Sequence, residues 1–324
     1  MTGQELLHLF ELASRRTHIV GTKENGVIVA LDLEGRFFTV INDRVISKVH
    51  PSAILARSDK NRFQNPGGDA LWPAPEGACF GYEYATGSWR VPPSVTGAVW
   101  EVVSQSANEC VIRAEIDLIN NAQLGIPCEF ERHIRIEQKE NMLYQEVREL
   151  IRYIGKRTLD KTEFALAPWS LCQFDASETG IVYMPVPSVE TRHATSLQPA
   201  EDDIWDMYAP VGGQRAMKDG LYVVRTKTPE RFQLALSKNI AWIEYMNEGK
   251  YRIKRYARDL PDGQRHIDIA DVPPDKLPSG KGVSLSVYCD PSGFVELEAC
   301  GGCTEKLEPG AELYVNVITE FEVL

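Results

Sequence analysis

From Gly26 to the C-terminus the chain is a succession of short segments in which apolar and polar residues alternate. Gly26–Leu33, Arg36–Asp43, Glu109–Ile119, Phe130–Gln138, Met142–Leu150 and Glu312–Leu324 are examples. A period of two marks a strand with one face buried. Turns rich in Gly, Pro, Asn and Asp, such as Asn247-Glu-Gly249 and Asp290-Pro-Ser-Gly293, separate the segments. Parallel pairing needs crossovers of a dozen or more residues, usually helical, and no such helices intervene. The strands must therefore pair antiparallel, and so many in one chain are best buried as two curved sheets stacked in a large sandwich. One helix is expected. Thr2 with Glu5 forms a capping box ahead of Leu6, Leu7, Phe10 and Ala13 at helical spacing, which predicts a short amphipathic helix over residues 3–15. The class is thus all-β, as a single domain over residues 1–324 whose first 16 residues carry the helix.

The 324 residues are 43% hydrophobic and 25% charged, enough to build a core. A net charge of −11 disfavours nucleic acid and anionic membrane as partners, and leaves a small neutral or cationic molecule, or another protein. The first residues lack the apolar stretch and cleavage site of a signal peptide, and no apolar run reaches membrane-spanning length, which predicts a soluble, cytoplasmic protein. Seven scattered cysteines suit reduced thiols better than a disulfide framework. Cys300-Gly-Gly-Cys303 sits in a turn between strands, unlike a redox dithiol, and lacks the second pair that a zinc site needs. No phosphate loop, dinucleotide fingerprint, metalloprotease helix or nucleophile elbow occurs. No cofactor or metal is expected.

Four stretches could carry chemistry. Residues 65–94 form a segment dense in Gly, Pro and aromatics, read as a long stiff loop, in which Trp72 and Trp89 stand beside Glu76 and Arg90. Flat apolar faces next to fixed charged groups suit a sugar, whose C–H patch stacks on a ring while its hydroxyls need rigid partners. The alternative is a plug of aromatics closing one end of the sandwich. In Phe294–Glu298 the period of two puts Glu296 and Glu298 on one face. Lining a cleft, they would repel one another and become a general base or acid; facing solvent, they would be the wet side of a strand. Arg132 falls on the apolar face of its strand, which predicts a buried ion pair, with substrate contact as the second reading. In Ala167–Gln173, Trp169 and Gln173 share a parity, and Gln173 offers neutral hydrogen bonding to hydroxyls.

Gly67-Gly-Asp-Ala-Leu-Trp-Pro-Ala-Pro-Glu76, Ala165-Leu-Ala-Pro-Trp-Ser-Leu-Cys-Gln173, and Phe294-Val-Glu-Leu-Glu298 followed by Leu307-Glu-Pro-Gly310 resemble, in that order, the galactose mutarotase-like superfamily and its uncharacterised branches. The resemblance implies a β-supersandwich with a sugar site on the concave face of one sheet. In aldose 1-epimerases a late-strand glutamate takes the proton of the anomeric hydroxyl while a histidine protonates the ring oxygen. Glu298, before the Leu-x-Pro-Gly turn, is similar to that glutamate. The Asn-His motif that carries the family's histidine is absent where this chain has Trp169-Ser-Leu-Cys-Gln173, leaving His266 or His193 as the acid. The expected protein binds a carbohydrate in a cleft lined by Trp72, Glu76, Trp89, Arg90, Trp169, Gln173 and Glu298, with Glu296 and Arg132 as further contacts. It either epimerises the sugar or holds it without turnover; a structural module with a vestigial cleft is the third reading.

Overall fold

The computed structural model describes residues 1–59, 62–82, 91–186, 202–207, 214–269 and 272–324. Two ten-stranded sheets face each other, and every strand pairing within them is antiparallel. The first sheet runs in the order 17–21, 26–30, 36–41, 69–74, 167–175, 294–300, 285–290, 232–236 and 204–206, with 44–45 paired to 36–41. The second runs 215–218, 221–225, 180–185, 243–247, 251–257, 312–323, 142–153, 125–139, 109–119 and 101–105.

The alternation in Glu109–Ile119, Phe130–Gln138, Met142–Leu150 and Glu312–Leu324 is the inner face of the second sheet, whereas Gly26–Ala30 and Arg36–Ile41, also read as alternating, belong to the first sheet and are buried at every residue. Cys110, Ile112, Ala114, Ile116 and Leu118 of the Glu109–Ile119 strand are buried, and the residues between them are not. Phe174 from the first sheet meets Tyr245, Tyr251 and Phe321 from the second, which ties the layers together through ring contacts of 6.2–6.5 Å. The helix spans Gly3–Leu12, capped by Thr2 and Glu5 as the sequence requires. It lays Leu6 and Phe10 on Ile28, Ala30, Phe38 and Val40, on the outer side of the first sheet.

The helix covers only two strands of the first sheet, but burial on both faces extends further along it and makes that sheet hard to read. With both faces enclosed, a strand needs no alternation: Ala167–Phe174 and Phe294–Cys300 are buried at every residue. The same holds within the segment expected as a loop, where Asp69–Ala74 is a fully buried central strand paired with Ala167–Cys172. Gly67 and Gly68 admit it. Gly67 has φ +88°, and a Cβ there would stand 2.1 Å from the Lys48 carbonyl oxygen. Gly67→Ala must move that backbone and hold a left-handed alanine, at an expected cost of roughly 1–3 kcal/mol, checked by the urea midpoint at unchanged denaturant slope.

The structure answers the question of Arg132 with a buried ion network. Its Nε and Nη2 donate to the two oxygens of Glu149 at 2.9 and 2.6 Å, Nη2 to Asp69, and Nη1 to the carbonyl oxygens of Gly35 and Asp69. Arg255 donates to the other Asp69 oxygen at 2.9 Å and to Ser170, which donates to Glu149. Asp69 and Ser170 belong to the first sheet; Arg132, Glu149 and Arg255 belong to the second. Arg132 is fully enclosed between the sheets with its donors satisfied, so substrate contact by this side chain is corrected to a structural role. The seven cysteines are free thiols. No helix is long and apolar enough to cross a membrane among the described residues.

Candidate functional site

The cross-strand register of the first sheet builds a polar floor on its outer side. Glu296 lies opposite Gln173 on one side and Tyr288 on the other, and Tyr288 lies opposite Gln233. One pair further along, Glu298 lies between Leu171 and Ser286. Above this floor is a cavity of about 480 Å³ lined by Trp72, Glu76, Trp169, Glu296 and Glu298, together with His50, Phe63, Arg231, Gln233, Tyr288, Asp290 and Phe294. The volume lies in the ~300–1,000 Å³ range of small-molecule sites.

Two tryptophans form the apolar wall. Trp72 and Trp169 are neighbours on paired strands and meet edge to face at 5.9 Å, and Phe63 meets Trp72 in the same way. Each indole is fixed by its N–H. Trp72 Nε1 donates to Glu34 at 3.0 Å, while Glu34 is held by Arg36. Trp169 Nε1 donates to Glu298 Oε2 at 3.1 Å. An aromatic wall pinned by hydrogen bonds costs no ordering when a ligand stacks on it.

The two carboxyl groups are enclosed: Glu298 is 0% exposed and Glu296 7%. Glu298 Oε2 accepts from Trp169 and, at 2.9 Å, from Gln233 Nε2. Glu298 Oε1 is buried and takes no well-aligned hydrogen bond. Glu296 Oε1 accepts from Gln173 Nε2 at 2.6 Å, and the Glu296 and Glu298 side chains are in hydrogen-bond contact with each other. Burial pushes Glu298 up to about 7, against the pull of the Ser286, Trp169, Glu296 and Gln233 hydrogen bonds. Burial, and then the charge of Glu298, hold Glu296 well above the usual carboxylate range. Two carboxylates in one dry site cannot both ionise cheaply, so at neutral pH the pair retains a proton.

The other predicted positions divide. Gln173 does not line the cavity but, opposite Glu296 on the paired strand, orients it. Trp89, Arg90 and His193 lie outside the described residues. His266 lines a different hollow, beside Lys238, Arg258 and Gln264, and is not among the residues around Glu298; the expectation that it serves as the acid there is corrected. It sits on a short strand, Arg265–His266, paired with Gly302–Cys303, past the end of the Phe294–Cys300 strand, which carries it away from the floor. The sequence reading passed over His50, Arg231, Gln233, Tyr288 and Asp290. For Gln233 and Tyr288 a signal existed, because each is a polar residue on a strand whose alternate positions are apolar, the rule that singled out Glu296 and Glu298. His50 and Arg231 come from connecting segments, where no periodicity points. Among the described residues no group of three or more His, Cys, Asp and Glu is arranged to hold a metal ion.

Solved structures share this architecture along nearly their whole length. The Slr1438 protein of Synechocystis is 13% identical, with a TM-score of 0.57 over 95% of each chain. A galactose mutarotase-like protein of Lactobacillus casei is 10% identical, with a TM-score of 0.57 over 95% of this chain and 100% of its own. Another from Clostridium acetobutylicum is 10% identical, with a TM-score of 0.50 over 95% of each. At such identities the likeness is one of fold, and the fold is the galactose mutarotase-like β-sandwich. A search of curated proteins returned no match. Residues 12–203 match a family described as being of unknown function, DUF6786, and the chain belongs to that family.

Proposed function

We propose that the cavity binds a single sugar unit and exchanges its anomers, with Glu298 as the general base. The observation that carries this reading is Glu298 Oε1, a buried carboxylate oxygen with no aligned donor at a cavity whose wall is the Trp72–Trp169 pair. A buried acceptor left without a donor is costly, and a ligand hydroxyl supplies one. The pyranose C–H face stacks on the indoles, while Gln233, Tyr288, Asp290 and Glu76 offer partners to the remaining hydroxyls. With an apparent pKa near neutrality, Glu298 is strong enough to accept the anomeric proton and weak enough to return it. The fold is shared with proteins described as galactose mutarotase-like, which supports a sugar as the ligand.

Thermal-shift measurements against a panel of mono- and oligosaccharides test binding. A sugar at a hundredfold excess over its Kd should add about 2.7 kcal/mol of stability. Proton NMR of freshly dissolved α-anomers tests turnover, with catalysis raising the exchange rate above the spontaneous one. A melting temperature indifferent to every sugar removes the binding reading. Stabilisation without faster exchange reduces the protein to a noncatalytic binder.

A further inference from the structure

Anomer exchange needs an acid as well as a base, and the residue type that usually protonates the ring oxygen is a histidine; among the described residues, His50 is the one histidine that lines the cavity of Glu298. His266 faces another hollow. His50 lines the cavity but meets Phe294 edge to face at 6.3 Å, and burial, together with Lys48, lowers the proton affinity of its ring. Tyr288 commits its hydroxyl proton to Asp290 at 2.7 Å. Arg231 also lines the cavity, and a guanidinium does not give up its proton. Glu296 is different. It shares the cavity with Glu298, is in hydrogen-bond contact with it, and is the more exposed of the two. Gln173 holds Oε1 of Glu296 by an N–H donor at 2.6 Å.

We propose that Glu296, as a carboxylic acid, protonates the ring oxygen while Glu298 removes the anomeric proton, so that the pair holds one proton before and after ring opening. This rests on the sugar-exchange reading above. The geometry suits the chemistry because the hydroxyl oxygen and the ring oxygen are bonded to the same anomeric carbon, so an acid and a base that touch one another can reach both. Glycosidases keep their two carboxyl groups about 5 Å or more apart, and carboxyls in contact do not fit that reaction.

The step balances. At rest Glu296 is protonated and Glu298 ionised. On opening, the anomeric O–H gives its proton to Glu298, the electrons of that bond form the carbonyl, and the bond from C1 to the ring oxygen breaks. Its electron pair stays on the ring oxygen, which takes the proton of Glu296. The aldehyde turns about its C1–C2 bond, and reclosure on the other face returns both protons. The pair carries one negative charge throughout, so the buried site never holds two charges or none. The charged and titratable groups facing the pair are Arg231, His50, Tyr288, Asp290 and Glu76 in the cavity, and Arg36, whose charge reaches Glu296.

The test is the anomer-exchange rate of α-D-glucose and α-D-galactose for wild type, Glu296→Gln, Glu298→Gln and His50→Gln across pH. Glu296→Gln should lose about a hundredfold or more of the rate and the fall in rate on the alkaline side, while keeping the thermal shift produced by the sugar. Glu296→Asp should recover part of both. If Glu296→Gln exchanges at the wild-type rate with Glu298→Gln inactive, or if His50→Gln carries the loss instead, Glu296 is not the acid and the binding site and its base stand. Should Glu296→Gln not fold, the wild-type profile decides: a rate that climbs with pH and never declines through the alkaline range overturns the proposal. A wild type that accelerates neither sugar removes this proposal together with the assignment of Glu298 as base.

Discussion

Glu298→Gln is expected to abolish most anomer exchange, by about 10²–10⁴-fold, and at the same time to make the protein more stable at alkaline pH. The two effects have one cause. A glutamine can accept from Trp169 and Gln233 through its oxygen, as Glu298 does now, but presents an amide N–H where Glu298 Oε1 takes no aligned hydrogen bond. The anomeric proton then has nowhere to go. Glu298 binds its proton more tightly in the folded protein, at about 7, than in the unfolded chain, at 4.5. The folded state therefore holds more protons than the unfolded state between those values, and stability falls as pH rises through the window. Glutamine does not ionise, so the variant should lose that slope and melt higher than wild type above pH 7. Glu296, raised further by burial and by its neighbour, extends the wild-type decline to still higher pH. Melting curves across pH check the sign. A wild type that gains stability between pH 5 and 8, at a slope the variant does not share, contradicts the placement of an ionising carboxyl in a dry site.

Arg132→Met should be the most destabilising of the substitutions considered, by about 3–5 kcal/mol. The methionine fills part of the volume above Phe37, where the guanidinium now stacks at 4.3 Å. It cannot supply the donors that Asp69 and Glu149 receive. Two buried carboxylates would then share one cation, Arg255, and the carbonyl oxygens of Gly35 and Asp69 would lose their partner. Adding Glu149→Gln should restore part of the loss, because it removes the excess negative charge; that coupling distinguishes charge imbalance from lost packing. Urea denaturation at constant slope reads both. A loss under about 1 kcal/mol for the single substitution would mean that water reaches the network. Since Asp69 and Ser170 sit on the strands that carry Trp72 and Trp169, a weakened network should also loosen the cavity wall.

Parity carried the sequence reading furthest where strands have one wet face. It identified the second sheet, the helix at Gly3–Leu12 through its capping box, and the pairing of Glu296 with Glu298 on one side of a strand. It failed at Asp69–Ala74, which reads as an irregular proline-rich loop and is a central strand. A strand covered on both faces has no alternation to display, and Gly67-Gly68 before it looks like a turn because the chain needs a left-handed entry there. His266 was singled out for its residue type, and the fold carries it to another hollow. His50 stands in a connecting segment where no periodicity points, and the fold carries it to the cavity.

The sequence by itself determined that this chain makes antiparallel sheets and that two glutamates project from the same side of one late strand, since both follow from the two-residue repeat of an extended backbone. Whether that side is wet or dry lies outside any local pattern. Pairing of strands more than a hundred residues apart sets Gln173 and Trp169 against Glu296 and Glu298. Only that long-range pairing and the cover above the sheet removed water from the two carboxyls. Exclusion of water couples the two acids, so that the pair keeps a proton at neutral pH.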